Sequence, residues 1–180
     1  TFLIETMQRE YSTARTFAAG YSNGGQMVLR LLYDAPFTLT GACVFASTLG
    51  EGSNHAPTHP DGYRPTPLLF IHGTEDPIAP YYGGLAAIDG QQTRGCVISA
   101  PATAEHFALA NGCRPPSESQ PIPGITSTYY DGDYPVELWT MEGLGHVIPS
   151  SKETPPSIGP NTDSFNAVDK VREFFGLGDA

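Results

Sequence analysis

Apolar positions along this chain recur with two periods. Leu3, Ile4, Met7 and Tyr11 fall at i, i+1, i+4 and i+8, which predicts an amphipathic helix ending before Ser12-Thr13. A second helix is predicted from Gly24, with Met27, Val28, Leu31 and Leu32 on one face and Pro36 as its stop. Residues 102–111, closed by Gly112, read as a third. Residues 163–175 read as a fourth, with Phe165, Val168, Val171, Phe174 and Phe175 on one stripe. Its cap is expected around Thr162-Asp163 and its stop at Gly176. Between these helices lie short apolar runs. Residues 15–21 lead into the second helix, and residues 40–46 and 67–71 have the unalternated character of strands buried on both faces. Residues 127–130 and 136–141 are β-type runs separated by an Asp-Gly turn. Residues 47–66 read as a loop, and residues 76–95 as a loop with one short helix. Strands alternating with helices predict an α/β chain: a mostly parallel sheet with helices on both faces.

One junction in this pattern carries chemistry. Gly20-Tyr21-Ser22-Asn23-Gly24 is a G-x-S-x-G sequence between a predicted strand and a predicted helix. A strand that turns sharply into a helix forces its corner residue into a strained conformation and pushes the Ser22 side chain outward. Gly20 and Gly24 are both expected where a Cβ would collide with a neighbouring element. The backbone N–H of Asn23, at a helix N-terminus, would point at any oxyanion forming beside Ser22. The plainer alternative is a Gly/Ser turn with no chemical role.

A serine needs a general base, and the base needs an orienting carboxylate. In a parallel sheet both come from loops at the carboxyl ends of later strands. Asp76 lies five residues beyond the run ending at Ile71, and His146 five beyond the run ending at Met141. The chain order Ser22, Asp76, His146 is that of the α/β-hydrolases. Glu75 is the nearest rival acid, with Asp131 and Asp133 remoter. His55 and His59 sit in a proline-containing loop, which forbids the helix that their i, i+4 spacing would need to bind a metal. His106 is expected on a helix surface, and His72 is read as support for the Asp76 turn.

Composition narrows the partners. At 180 residues and 39% hydrophobic, the chain suits one domain with a real core. Nineteen acids against nine bases give a net charge of −10, and Lys152 and Lys170 are the only lysines. That balance argues against nucleic acid or an anionic membrane as partner. No stretch approaches the length of a membrane span. The acidic, lysine-poor composition suits a secreted protein. Cys43 reads as a buried strand residue, while Cys96 and Cys113 flank a helix and could be bridged only if the preceding loop folds back. No C-x-x-C spacing exists, so neither a zinc site nor a thioredoxin-like motif is expected.

The stretch from Gly20 through Met27 and the run His72-Gly73-Thr74-Glu75-Asp76-Pro77, with Pro80-Tyr81 and Gly83-Gly84, resemble a known group of enzymes when set beside Gly145-His146 and Pro149. They look like the polyhydroxyalkanoate-depolymerase and feruloyl-esterase-like branch of the α/β-hydrolases, and Asn111-Gly112-Cys113 resembles a segment of the same branch. The resemblance implies a serine esterase with no cofactor, in which Ser22 is the nucleophile, Asp76 the orienting acid and His146 the base. Its substrate would be a small or polymeric ester, with Tyr21, Tyr81 and Ile148 as expected contacts. Where the branch carries Trp-Pro after the histidine, this chain has Val147-Ile148-Pro149. The branch also has strands and a His-Gly loop, the source of a second oxyanion N–H, ahead of the first helix here. The expectation is therefore a partial α/β-hydrolase fold, with the N-terminal strands absent from a single catalytic domain over residues 1–180. The edge from Arg15 to Tyr21 would then be covered by a second copy of the chain or by a separate N-terminal chain. A prolyl-oligopeptidase-like serine peptidase and a non-catalytic, partner-binding hydrolase domain are the alternatives.

Overall fold

The computed structural model describes residues 2–88 and 92–178. Its main sheet has six strands. Four run parallel: β1 (Phe17–Tyr21), β2 (Gly41–Phe45), β3 (Leu68–Gly73) and β8 (Val136–Met141). Beyond β8 the sheet continues antiparallel through β7 (Ile125–Tyr130) to β6 (Ser117–Ile122), giving the order β1-β2-β3-β8-β7-β6. β4 (Gly84–Ile88) and β5 (Gln92–Val97) form a separate antiparallel pair.

The central strands follow from their composition. Every residue of β2 and β3 is buried, as continuous apolar runs must be when helices cover both faces. On one face Val44, Phe70 and Leu138 pack against Val28, Leu29 and Leu32 of α2 (Asn23–Asp34) and Phe107 of α3 (Ala100–Ala110). On the other face Phe45, Leu69, Ile71 and Trp139 meet Ala167 and Phe175, at the two ends of α4 (Ala167–Phe174). α1 (Phe2–Tyr11) has no buried residue.

The structure corrects the sequence pattern in four places. α2 buries Val28, Leu29, Leu32 and Tyr33, while Met27 is 66% exposed. The face is set by Gly25, whose Cα lies so close to β2 and its extension that an added Cβ would sit 2.7 Å from Ser47 Cβ. Residues 76–95 hold β4 and part of β5 rather than a short helix, because the backbone at Gly83 and Gly84 has φ of +81° and +116° and turns the chain into a strand. β6 (SESQPI) is exposed along most of its length, so apolar alternation could not reveal it. The last helix starts later than expected. Its cap is Asn166, whose side chain accepts from Val168 N, and Val168 itself is exposed.

A buried ion pair fastens α4 to the sheet. Glu137 on β8 accepts from Ser127 Oγ and Trp139 Nε1, each at 2.6 Å, and its other oxygen lies 2.9 Å from Lys170 Nζ. Lys170 also sits over the Trp139 ring at 4.6 Å.

Candidate active site

Ser22 occupies the corner between β1 and α2 with φ 55° and ψ −123°, a region that non-glycine residues rarely enter. Its N–H donates to Phe45 O at 3.0 Å and its carbonyl accepts from Gln26 N at 3.2 Å, so the corner is tied to β2 and to the first turn of α2. Gly20 lets that turn pass close to its own strand, since a Cβ there would lie 2.3 Å from Gly24 O. Gly24, expected to share this role, has open space where its Cβ would be; Gly25 holds the second tight contact instead. Asn23 opens α2, so its N–H is among those that a helix leaves without an internal acceptor.

The other two groups come from loops laced to each other. Gly73 passes so near the next loop that a Cβ would lie 2.0 Å from Leu144 O. Thr74 N donates to Met141 O at 2.9 Å and Glu75 N to Leu144 O at 3.0 Å. This pairing brings the loop after β3 against the loop after β8. The second loop is pinned in turn, with His146 N donating to Ile158 O at 2.6 Å.

Ser22 Oγ lies 2.7 Å from His146 Nε2, and His146 Nδ1 lies 2.8 Å from Asp76 Oδ2. Asp76 and His146 are buried and Ser22 is half-buried. Asp76 Oδ1 accepts from Ile78 N and Ala79 N, both at 2.8 Å. His72, read from the sequence only as support for this turn, has Nε2 at 3.2 Å from Asp76 Oδ2 and 2.8 Å from Ala79 O. Burial works against the Asp76 charge, but the hydrogen bonds from His146 and His72 outweigh it and hold its carboxyl at about 2. A carboxylate so held keeps a proton on His146 Nδ1 and leaves Nε2 free to accept from Ser22.

The rival groups lie elsewhere. Glu75 is exposed, Asp131 pairs with Arg114, and Asp133 is exposed. His106 is on the surface of α3, with Nε2 2.9 Å from Tyr33 Oη, and the His55 ring stands edge-on to Tyr33 at 5.0 Å. Among the described residues no group of three or more His, Cys, Asp and Glu could hold a metal ion. Cys96 and Cys113 are unbridged, and burial pushes the Cys43 thiol well up.

The expected substrate contacts divide. Tyr21 is partly exposed beside the site, but its hydroxyl donates to His146 O at 2.7 Å, and the rings lie 5.1 Å apart. It braces the histidine. Tyr81 turns away: it is buried in the core, with its hydroxyl 2.7 Å from Thr140 Oγ1 and its ring edge-on to His72 at 5.8 Å. Ile148 is exposed. The cavity beside Ser22 has a volume of about 270 Å³ and is walled instead by Asn23, Ile78, Ala86, Ile88 and Arg94. Its outer wall is the β4–β5 pair. The sequence signal that could have found that wall is the turn dipeptide Asp89-Gly90, which stands between the apolar run ending at Ile88 and the run from Gln92 to Val97.

The sequence pattern of the phospholipase/carboxylesterase family (Abhydrolase_2) matches residues 2–92, a span that includes Ser22 and Asp76 and stops before His146. The putative esterase NocK of Nocardia uniformis subsp. tsuyamanensis is 31% identical over 178 residues, covering 88% of this chain and 50% of the relative. The probable carboxylesterase Os04g0669600 of Oryza sativa subsp. japonica is 32% identical over 75 residues, covering 42% of this chain and 32% of the relative. The chain thus spans about half the length of the first relative and about a third of the second. With a mostly parallel sheet, a strand–serine–helix corner and a match over residues 2–92, the chain belongs to the phospholipase/carboxylesterase family of α/β-hydrolases.

Proposed function

We propose that this chain carries the catalytic groups of a serine esterase. The observation behind the proposal is the hydrogen-bonded line from Ser22 Oγ through His146 to Asp76, set on a strained strand–helix corner. Ser22 Oγ attacks the ester carbonyl carbon as His146 Nε2 takes the hydroxyl proton. The carbonyl oxygen gains the negative charge and is met by the Asn23 N–H. The intermediate collapses, the bond to the alcohol oxygen breaks, and His146 returns the proton to that oxygen. Water then attacks the acyl-enzyme with the same proton transfers, releasing the acid and restoring Ser22. Asp76 stabilises the imidazolium at each stage and does not itself take the proton.

Within ester hydrolases, the motifs around Ser22, Asp76 and His146 support the polyester-depolymerase and feruloyl-esterase-like branch over a peptidase. A p-nitrophenyl butyrate assay with Ser22→Ala as control tests the reading, together with mass-spectrometric mapping of a fluorophosphonate adduct. Hydrolysis and an adduct on Ser22, both absent in the variant, are expected. Hydrolysis that survives Ser22→Ala would overturn it.

A further inference from the structure

The cavity beside Ser22 carries one feature that ester hydrolysis alone does not call for. Its walls are largely apolar, from Ile78, Ala86 and Ile88, yet Arg94 of β5 also lines it. Arg94 is exposed and has no hydrogen bond or ion pair among the described residues. Other bases of the chain are engaged: Arg30 with Asp34, Arg114 with Asp131, Lys170 with Glu137, and Arg64 with backbone carbonyls. In a chain of net charge −10, where carboxylates outnumber bases 19 to 9, an arginine with no carboxylate partner among the described residues is notable chiefly for where it stands. This one stands at the wall of the cavity that opens on the nucleophile.

The cavity's position tells which half of an ester it would take. The leaving oxygen must come within hydrogen-bond reach of His146 Nε2 to receive its proton. The cavity is lined by Ser22 and Asn23 but not by His146, so it lies on the acyl side of the attacked carbonyl. An acyl chain entering there passes the aliphatic side chains of β4 and reaches the guanidinium of β5. A planar guanidinium with free N–H groups pairs most strongly with a carboxylate, through two parallel hydrogen bonds.

We infer that Arg94 selects acyl groups ending in a carboxylate, so that the favoured substrates are half-esters of dicarboxylic acids. The inference rests on the ester-hydrolase reading for its reaction, though not for the carboxylate contact. Arg94 is exposed, so its replacement leaves the core undisturbed.

The test compares p-nitrophenyl hydrogen adipate with p-nitrophenyl hexanoate, which carries a methyl group in place of the carboxylate. The ratio of their kcat/KM values is expected to fall about tenfold or more in Arg94→Met, as for loss of a charged hydrogen-bonding partner. It should fall less in Arg94→Lys, and the wild-type ratio should shrink as salt is raised. Arg94→Glu should shift preference to the 6-(trimethylammonio)hexanoyl ester. Titration calorimetry of the Ser22→Ala protein with adipate monoamide separates the two readings. Binding that Arg94→Met weakens, with no ester hydrolysed by the Ser22 protein, would leave the carboxylate contact standing and sink the hydrolase reading. Hydrolysis with an unchanged adipate-to-hexanoate ratio in Arg94→Met would overturn the Arg94 inference alone. Neither hydrolysis nor binding would overturn both.

Discussion

Asp76 and His146 stand on different ground from Ser22. They follow β3 and β8, which pair with each other and have a further strand on their outer sides. Every residue of β3 is buried, and their loops share backbone hydrogen bonds. Ser22 follows β1, the end strand of the sheet, which among the described residues pairs with β2 alone and buries only Gly20 of its five residues. Position at the sheet centre is therefore a product of long-range packing. Position at the edge is a product of local geometry, in which a strained corner is wedged between Gly20, the first turn of α2 and the end of β2. Damage should differ accordingly. At the centre, a change of charge in well-packed surroundings alters chemistry or stability; at the corner, one methyl group should be enough to displace Ser22.

The largest effect is expected from the centre. Asp76→Asn keeps the acceptor for Ile78 N and Ala79 N but presents an amide N–H to His146 Nδ1, forcing the other tautomer. We expect kcat to fall by about 10⁴-fold with folding retained. Steady-state kinetics beside a denaturant melt would check it, and a loss smaller than about tenfold would deny Asp76 its role. Next comes the clamp beneath β8. Lys170→Met removes one partner of a buried pair and strands the Glu137 charge, which should cost about 3–5 kcal/mol in urea unfolding. A cost under about 1 kcal/mol would mean that Ser127 and Trp139 suffice to hold that carboxylate.

At the corner, Gly20→Ala drives a Cβ into backbone, not into a yielding side chain. A loss of about 1–3 kcal/mol is expected, as for overpacking, with reduced turnover in the molecules that still fold. Wild-type turnover in a stable Gly20→Ala protein would show that the corner tolerates displacement, and the contrast with the centre would fail.

This contrast also explains what could be read from the sequence. The convergence of Ser22, Asp76 and His146 and the parallel strands were legible because each signal is local: a G-x-S-x-G corner, unalternated apolar runs, and polar residues five positions past a strand end. The misreadings concern features that packing or exposure decides. Gly25 rather than Gly24 makes the second tight contact, which depends on where β2 and Ser47 lie and not on the spacing of glycines. Tyr81 sits in an apparently site-facing motif, but a hydroxyl partner on β8 draws it into the core. β6 has polar residues along most of its exposed length, and β4 begins at the second of two glycines that look like loop. Glu137 and Lys170 are 33 positions apart in sequence, and no local pattern joins them.

Acid sensitivity offers a smaller test of the centre. The Asp76 carboxyl is held at about 2, below its ordinary value of 3.8. Its ionised form therefore contributes stability that is complete above about pH 5 and is lost as pH falls towards 2, by about 2 kcal/mol. The difference in unfolding free energy between the wild type and Asp76→Asn should shrink over that interval. A difference that stays constant from pH 5 to pH 2 would show that the carboxyl is not held so low.

The smallest expected effect separates two glycines of a single motif. Gly24 lies in the first turn of α2, its φ is not positive, and nothing lies within 4 Å of the place its Cβ would take. An alanine there meets no steric penalty and removes backbone freedom from the unfolded chain, while a helix favours alanine over glycine. Gly24→Ala should therefore stabilise the protein by about 0.5–1 kcal/mol, with the sign opposite to that of Gly20→Ala four residues earlier. Paired urea melts of the two variants read both signs at once. Destabilisation by Gly24→Ala comparable to that by Gly20→Ala would mean that the whole corner is closely packed, and that the wedge does not rest on Gly20 and Gly25 alone.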